Sequence, residues 1–284
     1  MQKNLSQRKE TWKTIFLFLG ILTLFSSIFH LAIVKLYPSS IYVGGLMWAP
    51  ALAAFITLKI KGRMIRSLPW KWGDFKWIKR SYMIPMIYAS ITYLLIWIFG
   101  FGNIAPSDMI LEWGEEVGLY GIGSLSPMFI VIFGVILLAT VGVVRALATT
   151  LGEEIGWRGF FIYELRKVFS FTGVSLFSGF IWALWHWPVI VYYGSNIWLE
   201  LICFFVFIIS ISFIMTYYTF KSNSVWVAAI FHAVSNVYMQ KIFPPLTKTV
   251  EGSEHWLGEY GIMLAIVTLL FGTIFWRKGI KENL

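Results

Sequence analysis

The sequence predicts an all-α polytopic membrane protein, a bundle of about eight transmembrane helices. Three observations carry that prediction. Of the 284 residues, 58% are hydrophobic and only 13% are charged, far from the balance of a soluble globular domain. The apolar residues gather in runs, each near the roughly 20 residues that a bilayer needs. Lysine and arginine fall in alternate gaps between those runs, which is how membrane proteins set their orientation. The net charge of +9 therefore reads as topology, not as a nucleic-acid surface. With one cysteine, Cys203, neither an intrachain disulfide nor a thiolate metal cluster can form.

The first run, about Lys13–Leu36, follows Lys3, Arg8, Lys9 and Lys13. It lacks a short apolar core followed by a small-residue cleavage site, so it reads as a retained span. The second is Ile41–Ile60. A basic segment from Lys59 to Arg80 separates it from the third, Tyr82–Phe101. Within that segment Leu68–Ile78, with Trp70, Trp72 and Trp77 among lysines, is expected along the cytoplasmic interface. The loop Ser107–Tyr120 carries Asp108, Glu112, Glu115 and Glu116 and no base. The fourth run, Pro127–Tyr163, is too long for one crossing and must protrude, tilt or break. The remaining spans are Thr172–Tyr193, Ile197–Phe220, Val225–Phe243 and Leu257–Trp276. Arg166 and Lys167 precede the fifth, Lys221 the seventh, and Arg277, Lys278 and Lys281 follow the eighth. Eight crossings put every basic loop on one side, so both termini are expected in the cytoplasm of a multi-pass cell membrane protein. No repeat or linker interrupts the chain, which reads as a single membrane domain over residues 1–284.

Ionisable residues at membrane depth are costly and call for a function. Gly152-Glu153-Glu154-Ile155-Gly156-Trp157-Arg158-Gly159 holds two carboxylates and a guanidinium. Glu154 and Arg158, four apart on a helix, can pair. Glu153 lies about 100° away around the axis, over Trp157, and is left to face a cavity. The bland alternative is a structural ion pair at a helix end. Elsewhere Lys35 can snorkel to the outer end of the first span. His30 reads as a packed neutral imidazole, Glu200 and His255 as interfacial or loop residues, and Arg145 has two readings, a carboxylate partner or the outer surface.

His186 lies well inside the fifth span, in Trp182-Ala183-Leu184-Trp185-His186-Trp187-Pro188, where the proline frees a carbonyl and invites a kink. Spans four and five form an antiparallel pair. Glu153 and His186 are each about 16–17 residues from its turn and should be level, at ~1.5 Å per residue. His232 and Asn236, four apart in span seven, share a helix face. One buried histidine is usually a satisfied core residue. Two histidines, a free glutamate and an asparagine on three helices point instead to a catalytic or metal-binding centre.

Glu153-Glu154-x-x-x-Arg158, Trp182-x-x-x-His186 and His232-x-x-x-Asn236 resemble the three motifs of the CAAX-processing and bacteriocin-processing (CPBP, Abi) intramembrane proteases, which include the CAAX prenyl protease 2 enzymes. The likeness covers roughly Ala139 to Met239, the expected catalytic core. The second motif commonly begins with phenylalanine; Trp182 reads as an aromatic exchange in a packing position. The resemblance implies an eight-helix endopeptidase of the bacterial plasma membrane, opening to the cytoplasm. It implies catalytic roles for Glu153, His186, His232 and Asn236, with Glu154, Arg158 and Trp182 in support. The substrate would be a membrane-associated peptide or protein, lipid-modified or membrane-anchored, with the bilayer as the other partner. Two mechanisms suit these residue types. Glu153, assisted by His186, activates water while His232 and Asn236 stabilise the oxyanion. Alternatively Glu153, His186 and His232 hold a zinc ion. The route without a cofactor is preferred, and zinc stays open. A non-catalytic immunity or scaffold protein and a proton-coupled transporter are the rivals.

Overall fold

The computed structural model describes residues 2–119, 121 and 126–284, so Tyr120, the last residue of the acidic loop, lies outside the described residues. The fold is that of an all-α polytopic membrane protein. Helices α1 (Gln2–Lys35), α2 (Ser40–Ile60) and α3 (Phe75–Ile98) are followed by a short α4 (Ser107–Glu116) and by the long α5 (Pro127–Leu165). Then come α6 (Phe171–Tyr193), α7 (Ile197–Ser222), α8 (Val225–Asn236) with a π-helical extension Val237–Ile242, and α9 (Ile262–Lys281). A two-stranded antiparallel pairing, β1 (Gly102–Ile104) with β2 (Thr247–Thr249), ties the α3–α4 connection to the α8–α9 connection.

Seven of these helices are long and apolar enough to cross a membrane. The eighth expected crossing, α8 with its extension, is not among them. His232, Asn236, Gln240 and Lys241 lie along it and lower its hydropathy. Residues 227–235 are all buried, so this helix is lined by protein and needs no lipid-compatible exterior. The last span starts at Ile262 and not at Leu257, because Glu254–Trp256 forms a 3-10 turn and Gly258 takes the left-handed conformation at φ 77°.

The long α5 does not break. It runs for 39 residues and takes up its excess length through two π-helical segments, Leu138–Gly142 and Ile155–Phe161. Its outer part packs under α4, whose Trp113 ring occupies the space a side chain at Gly134 would need. Helix α4 itself lies in the expected acidic loop. Ile110, Trp113 and Gly114 are buried while the four acids are exposed. Its ten residues are too few for periodicity to declare it. At the opposite end α3 begins earlier than expected and draws Trp77 inside, against Tyr217 and Tyr218. Of the three tryptophans expected at the interface only Trp72 is largely exposed, at 55%.

Helix α2 brings the site helix close. Its buried stretch Ala49, Pro50, Ala51, Ala53 and Ala54 has little side-chain bulk. Gly152 and Gly156, one turn apart, lie against it. A Cβ on Gly156 would sit 2.3 Å from Pro50 Cβ and 2.6 Å from its carbonyl carbon, and one on Gly152 would sit 2.8 Å from the Trp48 ring. The two glycines that bracket the carboxylates are thus required by a helix–helix approach.

Candidate active site

Glu153 and Glu154 end the α-helical part of α5, and the π segment begins at the next residue. Asn236 likewise ends α8 immediately before its π extension. Single π turns within helices recur at functional sites because the wider coil re-aims side chains and loosens backbone bonding.

The two carboxylates part as the helical period requires. Glu154 is fully buried and pairs with Arg158, Oε2 to Nη1 at 3.1 Å. Its Oε1 accepts from His232 Nδ1 at 2.9 Å. Arg158, also fully buried, donates from Nη2 to Ser212 Oγ at 3.1 Å and lies over the Trp182 ring, 4.1 Å from its centroid. Desolvated cations gain from an aromatic face as well as from a carboxylate. Glu153, only 2% exposed, instead lines a cavity, and its Oε2 accepts from Trp182 Nε1 at 3.0 Å.

Both histidines are oriented through Nδ1. His186 Nδ1 lies 3.0 Å from the Trp182 carbonyl, which can only accept, so the hydrogen is on Nδ1 and the lone pair on Nε2. The ring is wedged between Trp185 and Phe204, with centroids at 4.8 and 5.0 Å. His232 is held by Glu154, and its helix is braced from α3 by Tyr88, whose hydroxyl meets Ser235 Oγ at 2.5 Å. Glu153, His186, His232 and Asn236 all line one cavity of about 420 Å³. Glu154 and Arg158 stand behind it. Glu153 meets Trp182, one turn nearer the α5–α6 connection than His186. The π segment between Glu153 and that connection has more residues per turn and advances less per residue than an α-helix.

Trp182 does more than pack. Its indole donates to Glu153, its carbonyl fixes His186 and its ring supports Arg158. Trp182→Phe keeps an aromatic face beneath Arg158 but removes the N–H donor and part of the buried indole. A hydrogen bond to a charged group is worth about 1.5–3 kcal/mol net, so kcat is expected to fall about tenfold with KM little changed, alongside a lowered thermal midpoint from the lost packing. An unaltered kcat would show that the N–H has no part in holding Glu153.

Three residues on the cavity wall escaped the sequence reading: Gln240, Glu259 and Tyr260. Gln240 follows Asn236 by four positions, a signal present in the text. Glu259 and Tyr260 sit in the α8–α9 loop, where spacing is silent. Gln240 Nε2 donates to Glu259 Oε2 at 2.9 Å, and burial raises the Glu259 carboxyl above the usual carboxylate range. His30 packs edge-on to Trp185 with its Nε2 buried and unpartnered, Arg145 is exposed, and Glu200 accepts from the backbone N–H groups of Ser195 and Asn196.

Among the described residues no three His, Cys, Asp or Glu side chains gather closely enough to hold a metal ion. Glu153, His186 and His232 share the cavity, and each histidine is held through Nδ1, which leaves Nε2 for another partner. The expected opening toward the basic loops is also not met. The cavity wall includes Pro38 before α2, Val43 in its first turn, Tyr193 at the end of α6, and Glu259 and Tyr260 before α9. These all belong to the other end of the bundle. At the basic end, the segment after α2 closes the floor: Val225 N–H donates to Pro69 O, Ser224 Oγ to Trp72 O and Trp226 Nε1 to Trp70 O.

Residues 135–238, which contain all three motifs, match the family model described as Type II CAAX prenyl endopeptidase Rce1-like. This stretch is similar to the CAAX-protease (CPBP) family. The chain is also similar to the CAAX prenyl protease 2 of Methanococcus maripaludis, at 30% identity over 136 residues. That match covers 44% of this chain and 48% of the relative, so the chain spans about half the length of the curated relative it matches. The family-model match takes in the buried polar residues Glu153, Glu154, Arg158 and His232, and lies outside α1 to α3.

Proposed function

We propose that this protein, like the CAAX proteases its residues 135–238 resemble, is an intramembrane endopeptidase. It would cut a membrane-associated peptide or protein by attack of water, without a bound metal. The observation that carries the reading is that Glu153, His186, His232 and Asn236, from three helices, line one cavity. Glu153 is the base. It takes a proton from water as the water oxygen attacks the scissile carbonyl carbon, and His186 Nε2 accepts a hydrogen bond that steadies the water. The Asn236 amide and His232, held by Glu154, face the oxygen on which negative charge develops. The proton on Glu153 then passes to the leaving nitrogen as the C–N bond breaks. Glu154, Arg158 and Trp182 position these groups. The basic connections support a multi-pass membrane protein with both termini in the cytoplasm, and the resemblance would place it in a bacterial plasma membrane.

Purified protein in lipid vesicles, given a quenched fluorescent peptide bearing an acyl anchor, is expected to cleave it. Cleavage should survive prolonged treatment with a zinc chelator. Activity lost with the chelator and regained with stoichiometric zinc would replace the metal-free mechanism. No cleavage over a broad peptide library would leave the immunity or scaffold reading in its place.

A further inference from the structure

The chain connectivity sorts the charges. Helices α1, α3, α6 and α8 run one way and α2, α5, α7 and α9 the other, so the loops fall at two ends. One end holds eighteen of the 23 lysines and arginines, in the N-terminal part of α1 and around residues 59–80, 166–167, 221 and 277–281. The other end has Lys35, Lys241 and Lys248 against eight acids, Glu259 among them. Such asymmetry places the first end in the cytoplasm.

The cavity belongs to the second end. Its rim is exposed at Pro38, Val43, Tyr193 and Gln240. His186 is seven residues from the end of α6 at Tyr193 but fifteen from its start at Phe171, or ~10 Å against ~22 Å of helix. Toward the cytoplasm the way is filled. Phe18, Trp157, Phe160 and Phe161, no more than 1% exposed, pack against one another below the carboxylates. The hydrogen-bonded segment Pro69–Trp72 caps the base of α8.

We infer that this site takes its substrate from the extracytoplasmic side: a peptide exported across the membrane or anchored in its outer leaflet. A cytosolic chain terminus is not its substrate. The inference rests on the protease reading for the word substrate, while the side of access rests on the cavity's place in the bundle and on the charge asymmetry between its two ends. The wall chemistry fits a peptide segment lifted from the outer interface. Ile33, Leu46, Met47 and Phe204 offer an apolar flank, and Asn236, Gln240 and Tyr260 offer polar partners for a backbone.

The test uses the full-length protein with its single, buried cysteine replaced, Cys203→Ser, and one new cysteine added at a time. Val43→Cys lies on the cavity rim and Arg66→Cys on the exposed basic face. A charged, membrane-impermeant methanethiosulfonate is applied to intact cells and to permeabilised ones. The expected result is full labelling of Val43→Cys in intact cells and of Arg66→Cys only after permeabilisation. The reverse pattern overturns the inference. In parallel, a quenched peptide with an N-terminal acyl chain is added outside spheroplasts and, separately, to sealed inside-out vesicles. Cleavage by spheroplasts but not by sealed vesicles supports the inference, and the opposite overturns it. If detergent-solubilised protein cleaves nothing, the protease reading fails and the substrate assignment with it, while the labelling still decides which side the cavity faces.

Discussion

Glu153→Gln yields a protein that folds and inserts normally but does not turn over. The amide matches the carboxylate in shape, and its oxygen still accepts from Trp182 Nε1, now 3.0 Å from Glu153 Oε2. What disappears is the base. General acid–base catalysis by a positioned group contributes roughly 10²–10⁴-fold, so kcat should fall by at least that order while KM changes little. Stability should hold or rise, because a buried carboxylate without a direct ion pair is replaced by a neutral group. Cleavage by the purified variant and its thermal midpoint are the two readouts. Near-normal cleavage would remove Glu153 from the chemistry.

Glu154→Gln is expected to do something different. Glu154, Arg158 and His232 form one buried network, with Glu154 at its centre. Removing its charge leaves the fully buried Arg158 with only Ser212 and the Trp182 face. Breaking a buried pair in this way typically costs about 3–5 kcal/mol, read as a lowered thermal midpoint. The same change loosens His232, and misplacing a reacting group by about 1 Å can reduce rate on the order of a hundredfold. Arg158→Ala should lose similar stability but retain the His232 contact, and so keep more activity per folded molecule. If Glu154→Gln were stable and fully active, the network would be structural ornament; if it were stable and inactive while Glu153→Gln cleaved, the two roles would be exchanged.

Much of the site was legible because a membrane makes polar residues conspicuous. Glu153, Glu154, Arg158, His186, His232 and Asn236 stand out against apolar text, and the helical period alone separates the paired carboxylate from the one on the cavity wall. Trp182 was legible only as an aromatic. That its N–H reaches Glu153 depends on the register between α5 and α6, and that register depends on the π segment at Ile155–Phe161, which no residue pattern announces. Counting residues from a turn assumed uniform helices, an assumption that the two π-helical segments of α5 break. The same uniformity hid the role of Gly152 and Gly156, which answer to α2, about a hundred residues away in sequence.

By itself the sequence determined neither helix α4 nor the early starts of α1 at Gln2 and α3 at Phe75, but it determined the long apolar helices and which loops share a side. These follow from hydropathy, length and charge, properties that act locally or through the bilayer as a common solvent. Tertiary structure decided the rest: that α8 is enclosed by protein and so tolerates His232 and Asn236, that Glu154 holds His232 as well as Arg158, and that the cavity opens away from the basic loops. Each depends on which helix faces which, and packing of side chains across helices carries no signature within any one of them.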